Sequence, residues 1–347
     1  MIRSRALFAI AAIALVAAAC GTGSGDAQVL RYGYAPGDAL TYDVSAAVEG
    51  GLTVQGPLEP GVTEGSADID VAVDMRVGYE VLEGDDPTIS VVRITQEFTG
   101  LSGSVSGMGE DRTLSDADLE GLEPITVEIS VDETGEIVSA SVDGQEVPLD
   151  RMLDFGALSE GGLDDFAGLG SQLLNPGHFG PELPTDAVGV GDEWTTEKTS
   201  APLGLDVSQQ TTHRIAGEET VGGRTTLRIE STVTTEALEL GLAELLEGFL
   251  GDLEGGLGGD LGGDDDFGFA PEDVAAFLEA MGLELRFVLA GSEGTATTWF
   301  DPADGLVVRH TATNPVDLSV SVTGIPDTGD VSLDAEFTIT QDATLVE

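Results

Sequence analysis

Positive charge is the scarcest resource in this chain. Thirteen Lys and Arg stand against 64 Asp and Glu, a formal net charge of -51, and Lys198 is the single lysine. Binding a phosphate backbone requires clustered cations, so nucleic acid is excluded as a partner. A body of this sign is also repelled by an anionic membrane surface. Cysteine is nearly absent: Cys20 stands alone, which excludes an internal disulfide framework and a cysteine zinc site. Three histidines, His178, His213 and His310, lie far apart in sequence. No His-Glu-x-x-His and no Gly-x-Ser-x-Gly elbow occurs, so the familiar zinc-hydrolase and serine-hydrolase signatures are missing. Carboxylates are so numerous that a catalytic pair carries no information. The expectation is a non-enzymatic protein without a cofactor.

Long apolar runs are missing too. The uninterrupted run Ala6 to Val16 falls short of the about 20 apolar residues that span a bilayer. It follows Arg3 and Arg5 and precedes Ala17, Ala18 and Ala19, the order of a secretory signal. Ala17-Ala18-Ala19-Cys20-Gly21 then resembles the lipobox of bacterial lipoproteins. The resemblance implies cleavage before Cys20, with diacylglycerol on its thiol and an acyl chain such as palmitate on its freed amine. One chain binds a membrane only marginally, at about 0.8 kcal/mol per buried CH₂; two or three hold firmly. Residues 1–19 are thus expected to be a signal peptide and 20–28 a lipidated flexible tether. The expected location is extracytoplasmic, anchored to the cell membrane by lipid. Losing Arg3 and Arg5 takes the mature charge from -51 to about -53.

Hydrophobic content is 41%, enough for a packed core. The acids are spread along the chain, which favours a solvating surface over a dedicated site. A cationic partner or weak Ca²⁺ binding is the competing reading. Gly255-Gly256-Leu257-Gly258-Gly259-Asp260 matches the front of a Gly-Gly-x-Gly-x-Asp calcium repeat, but once only, and Gly262 stands where a large apolar residue belongs.

Most of the sequence reads as strands. Ile69, Val71, Val73, Met75, Val77, Tyr79 and Val81 alternate with Asp68, Asp70, Asp74, Arg76 and Glu80, the period of a half-buried strand. Strands are predicted at 30–34, 40–48, 69–82, 89–98, 125–131, 137–142, 205–216, 225–233, 283–289, 295–300, 306–313, 318–322 and 331–339. The 205–233 hairpin lines up with that from Val73 to Ile94, and Asp301-Pro302-Ala303-Asp304-Gly305 echoes Asp132 to Gly135. The chain is therefore divided into a first β-rich half over 29–184 and a second over 185–347, near 180–190. Three segments break the β pattern. Thr113 to Pro124 is short and acidic. A helix is predicted within 150–175, with Leu163, Phe166, Leu169, Leu173 and Leu174 on one side. An acidic Gly/Asp-rich helical insert is predicted at 236–281. Its first stripe runs Leu238, Leu242, Leu245, Leu246, Phe249, Leu250 and Leu253; its second, opened by Pro271, runs Val274, Phe277, Leu278 and Met281.

The expected fold is mainly β: a curved antiparallel sheet or half-barrel, in one piece or as two similar halves, with inserted amphipathic α-helices. A signal with Cys20, a curved sheet and helices filling its mouth together resemble the half-barrel lipoproteins of the LolA, LppX and LprG type. Phe179-Gly180-Pro181-Glu182-Leu183-Pro184 with Val188-Gly189-Val190-Gly191-Asp192-Glu193-Trp194, and Leu30-Arg31-Tyr32 to Pro36-Gly37-Asp38 with Tyr42, are similar to stretches of uncharacterised actinobacterial lipoproteins. The resemblance implies lipid or lipoprotein binding in an apolar hollow. The helix faces name the expected lining: Leu163, Phe166, Leu169, Leu173, Leu242, Leu246, Phe249, Val274, Phe277 and Met281. Two rival readings stand beside it. One is an acidic envelope scaffold that binds a cationic partner and has no cavity. The other is an envelope hydrolase, which requires one of the histidines beside a serine or carboxylate in a pocket.

Overall fold

The computed structural model describes residues 27–59, 62–84, 86, 88–107, 111–142, 145–147, 180–200, 207–241, 282–324 and 329–346. Cys20, the helix predicted within 150–175, residues 242–281 of the predicted insert, and all ten expected lining residues lie outside them.

Fifteen strands form one antiparallel sheet among the described residues. They are β1 (Ala39–Glu59), β2 (Val62–Leu82), β3 (Ile89–Gly107), β4 (Arg112–Leu114), β5 (Ile125–Asp132), β6 (Ile137–Val142), β7 (Gln145–Val147), β8 (Glu193–Ser200), β9 (Val207–Val221), β10 (Arg224–Thr235), β11 (Leu238–Gly241), β12 (Glu284–Leu289), β13 (Ser292–Asp301), β14 (Leu306–Thr323) and β15 (Val331–Val346). The order across the sheet is β7-β6-β5-β3-β2-β1-β15-β14-β13-β10-β9-β8. Most pairings join strands that are neighbours in the chain; β3–β5, β10–β13, β12–β14 and β1–β15 are those that skip strands. On one side, β14 pairs first with β13 and then with β12, and β12 carries β11.

The alternation in β2 holds as read: Val71, Met75, Val77, Tyr79 and Val81 are buried, and Asp68, Asp70, Asp74, Arg76 and Glu80 are exposed. The strands run further than their apolar stretches suggested, since β1 and β2 each reach 21 residues. Beyond Val48 the alternation passes through small and hydroxylated residues, which keep the period while lowering the apolar count. The stretches 306–313 and 318–322, predicted as two strands, are one. Pro315 lies where β14 exchanges β13 for β12, a gap in the ladder where its missing N–H costs nothing on that side.

Two other expectations are corrected. Leu30 to Tyr34 is extended but belongs to no strand, because its backbone bonds go to turns. Tyr32 N–H donates to Glu133 O at 3.1 Å and Gly33 N–H to Gly305 O at 3.0 Å. Leu238 to Gly241, predicted to open a helix, is β11 and pairs with β12 from Leu238↔Leu289 to Gly241↔Arg286. Leu238 and Leu240 alternate onto one face, and a cross-strand partner outweighs the weak local helix preference of so short a stretch. The 113–124 segment holds the end of β4 and a 3-10 turn at Asp116–Leu119.

The Tyr32-Gly33 pair also shows that the sheet is curled. Glu133 lies in the β5–β6 turn and Gly305 in the β13–β14 turn, so β3, β2, β1 and β15 stand between the two. Five strand spacings would set them about 24 Å apart on a flat sheet. Two successive amides bonded to both carbonyls bring those oxygens within about 10 Å. The segment 27–38 therefore lies across one end of the concave face. The segment 180–192 lies beside it: Gln28 bridges Val188, and Leu183 N–H donates to Thr134 O at 2.8 Å.

This end of the concave face holds the core. Leu30, Tyr32, Tyr42, Val77, Tyr79, Ile94, Ile129, Ile215, Ile229 and Phe300 belong to one buried cluster, with Leu183 and Val188 from the second crossing segment. All four tyrosines of the chain meet here. Tyr32 stacks on Tyr34 at 5.6 Å, and Tyr42 meets Tyr79 edge-on at 5.3 Å. Tyr32 Oη donates to Pro181 O and Tyr42 Oη to Val307 O, both at 2.8 Å. Burial pushes the phenols well above the ordinary tyrosine range, so they remain neutral hydrogen-bond donors. The two motifs singled out in the sequence therefore meet in space. Gly180 is held to glycine because a Cβ there would overlap the Tyr32 hydroxyl.

Candidate functional site

The far end of the long strands carries the same alternation without the same filling. On β1, the concave positions continue from Tyr42, Val44 and Ala46 to Val48, Leu52 and Val54. Leu52 stands opposite Ala335, Ala335 opposite Leu318, Leu318 opposite Leu289, and Leu289 opposite Leu238. The next row is Val54, Leu333, Val320, Phe287 and Leu240. Two rows of five apolar residues thus cross β1, β15, β14, β12 and β11. Ile69, Val71, Val73, Leu101 and Val105 extend the surface onto β2 and β3. Val54 and Ala335 are buried, whereas Leu52, Leu333, Leu318, Val320, Phe287, Leu289, Leu238 and Leu240 are half-buried. Among the described residues, the two rows thus form one contiguous apolar surface across five strands.

The opposite face is polar. Glu49, Thr53, Asp334, Glu336, Thr338 and Asp317 occupy the alternate positions of the same three strands. Four of them, Glu49, Asp317, Asp334 and Glu336, line a cleft of about 490 Å³ over Gly50 and Gly51. Among the described residues, no three His, Cys, Asp or Glu side chains are placed to hold a metal ion. The Gly251 to Gly268 stretch lies outside those residues.

Two histidines fall among the described residues. His213 on β9 is buried, with Nδ1 2.8 Å from Ser231 Oγ and Nε2 3.1 Å from Thr196 Oγ1. Its ring stacks on Trp194 at 5.0 Å. His310 on β14 has Nδ1 2.9 Å from Thr298 Oγ1. β10 and β13 separate the two. Burial pushes both imidazoles down to about 4, so each is neutral at pH 7; His213 engages hydroxyls through both nitrogens and His310 engages one through Nδ1. No carboxylate bonds either ring among the described residues. In His213 both nitrogens are already engaged, an arrangement that fixes strands to one another. His178 lies outside the described residues.

In the sequence, Leu238 also fits a helical stripe with Leu242, Leu245 and Leu246, and this spacing masks the strand rows. Their signal was nonetheless present. Val316, Leu318, Val320 and Val322 alternate, as do Leu285, Phe287 and Leu289, and neither run stops where the tyrosine core stops.

No family model matches the chain, and no curated protein matches it. Among solved structures, it is similar to the outer membrane protein OprG from Pseudomonas aeruginosa, at 8% identity over 93% of this chain and 100% of that one. The TM-score is 0.17, and so slight a likeness carries no argument.

Proposed function

We propose that this chain is a cell-envelope lipoprotein, held to the membrane by lipid on Cys20, that binds a lipid or other apolar ligand on its concave face. The observation that supports this reading is the two-row apolar surface at the far end of the strands. Moving apolar area out of water is favourable by about 25 cal/mol per Å², so an acyl chain laid along these rows would be held by surface alone. Polar direction-giving groups are few there, which favours a ligand recognised by shape and length over one recognised by charge. The polar outer face is the reverse of a membrane-spanning barrel, whose lipid-facing side must be apolar. Attachment therefore falls to the lipid on Cys20. In this reading the protein does no chemistry on its ligand.

The test is uptake of the fluorescent fatty acid cis-parinaric acid by the full mature chain carrying Cys20→Ser. Saturable uptake that falls in Leu318→Asn, with unchanged circular dichroism, supports the proposal. No uptake by the parent rejects it. The second reading, an acidic scaffold for a cationic partner, draws on the cleft lined by Glu49, Asp317, Asp334 and Glu336. It predicts salt-sensitive binding that is indifferent to Leu318.

A further inference from the structure

Between the tyrosine core and the apolar rows, the concave face changes character. Ala343, His310 and Thr298 stand opposite one another across β15, β14 and β13, and so do Gln341, Ala312 and Ala296. Ile339 and Asn314 pair in the next row. Their side is fixed by Val44 and Ala46, which belong to the buried core and face Ala343 and Gln341. Small residues make the floor of this patch: Ala312, Ala296 and Gly294. Polar side chains border it. His310 and Asn314 lie two residues to either side of Ala312, each about 7 Å away along β14. Gln341 is the partner of Ala312 on β15, about 5 Å away. A Cβ at Gly294 would overlap Asn314 Oδ1, so glycine gives that amide room to lie across the floor.

These side chains have bonding capacity left over. All three are half-buried. Nδ1 of His310 is taken by Thr298 Oγ1 at 2.9 Å, and Nε2 has no partner among the described residues. The amides of Gln341 and Asn314 have none there either. His213, by contrast, has both ring nitrogens engaged. Between them the two amides offer N–H donors and carbonyl acceptors, and Nε2 offers one further bond whichever tautomer the ring takes. Polar groups left unmatched in a partly dry place cost free energy that a ligand's oxygens can recover.

Charge is kept out of the surroundings. The chain has 64 acids, yet no Asp, Glu, Lys or Arg occupies a concave position between Val44 and Val54 on β1, between Leu333 and Ala343 on β15, or between His310 and Val320 on β14. Burial keeps His310 itself neutral at pH 7. An ionised head of either sign would be desolvated here without a counter-ion. The apolar rows begin where the patch ends: Val316 and Leu318 follow Asn314 at alternate positions of β14. From Asn314 to Val320 the strand runs about 20 Å, the reach of a long acyl chain.

We infer that Gln341, Asn314 and Nε2 of His310 bind the head of the ligand, and that this head is uncharged and carries hydroxyl or ester oxygens, as in a monoacylglycerol. The inference rests on the ligand-binding reading above and adds the chemical class of the ligand. Hydroxyl and ester oxygens accept from the two amides, a hydroxyl donates to an amide carbonyl, and the tail lies along Leu318, Val320 and Phe287.

The experiment uses the full mature chain with Cys20→Ser, loaded with cis-parinaric acid. It compares displacement by 1-monomyristoylglycerol and by myristate, which have the same tail. The uncharged ligand is expected to displace the probe at roughly tenfold lower concentration. Gln341→Met with Asn314→Leu keeps the shape and removes both amides, and there the preference should vanish. His310→Phe, which keeps a ring without Nε2, should reduce it in part. A general loosening of the fold would weaken both ligands together and leave their ratio intact. Gln341→Met alone gives the same reading if the pair does not fold. Myristate as effective as the monoacylglycerol in the parent overturns the uncharged head. A preference that survives removal of the amides overturns the roles given to Gln341 and Asn314. Absence of uptake by the parent instead rejects the ligand-binding reading, a separate result.

Discussion

Tyr32 donates its phenol to the carbonyl of Pro181 at 2.8 Å, which ties the segment entering β1 to the segment entering β8. Both lie across the filled end of the concave face, and the bond joins stretches 149 residues apart in sequence. Tyr32→Phe keeps the ring and its contact with Phe300 but leaves the carbonyl without that donor. Its expected cost is about 1–2 kcal/mol in urea unfolding. Tyr32→Ala also opens a cavity in the core and should cost about 3–5 kcal/mol. Equal costs for the two would show that the ring contributes nothing.

The turns entering β1 and β8 give a sharper comparison, since Asp38 Oδ2 accepts from Ala35 N–H as Asp192 Oδ2 does from Gly189 N–H. Gly37 and Gly191 both have strongly positive φ, and a Cβ at either would meet no atom within 4 Å. Alanine at either site is therefore penalised by backbone conformation alone, at about 1–2 kcal/mol. The two losses should agree within about 0.5 kcal/mol, because the turns are built alike. Gly180→Ala should cost more than either, since there the added carbon overlaps the Tyr32 hydroxyl. Thermal or urea unfolding of the three variants decides the ranking.

Acid should act through His213 and His310. Each is held in the folded chain at about 4, below the ordinary value of 6.5, by burial. The folded state thus disfavours the charged form. Between pH 6.5 and 4 the unfolded chain binds more protons, so this contribution is fully present above 6.5, is lost as pH falls, and levels off below about 4. Protonation of the many carboxylates relieves repulsion over an overlapping range. The clean reading is therefore the difference between the parent and His213→Gln/His310→Gln. The parent should lose more Tm than the variant between pH 6.5 and 4; parallel curves would contradict the assignment.

Salt should raise stability. A formal charge of -51 makes the folded chain repel itself, and a Debye length of about 8 Å at 0.15 M shrinks to about 3 Å at 1 M. Tm should climb with NaCl over this range. The ion pairs on the outer face, such as Arg76–Asp43 and Arg286–Glu239, are exposed and contribute little that salt could remove. A fall in Tm with salt would mean that these pairs outweigh the repulsion.

The β class was legible because alternation is local: one look at Ile69 to Val81 assigns both faces of β2. Strand length was not. Gly50 and Gly51 on β1 and Pro315 on β14 look like breaks, and only the partner strands explain why the chain continues. Leu30 to Tyr34 has strand composition, but its bonds are made with turns far along the chain, which no local pattern encodes. Leu238 fits a helical stripe as well as it fits β11, and its neighbour Leu289 decides the matter. The concave site was half legible. An apolar hollow was expected from helix faces, whereas the described lining comes from strand residues such as Leu318 and Phe287.

The most direct test is native mass spectrometry of the full mature chain with Cys20→Ser, purified from cells without detergent. A bound apolar molecule of lipid mass is expected, lost in Leu318→Asn with Phe287→Asn while the fold is kept. A parent that arrives at its bare polypeptide mass, and that also takes up no fatty acid when offered it, would contradict ligand binding.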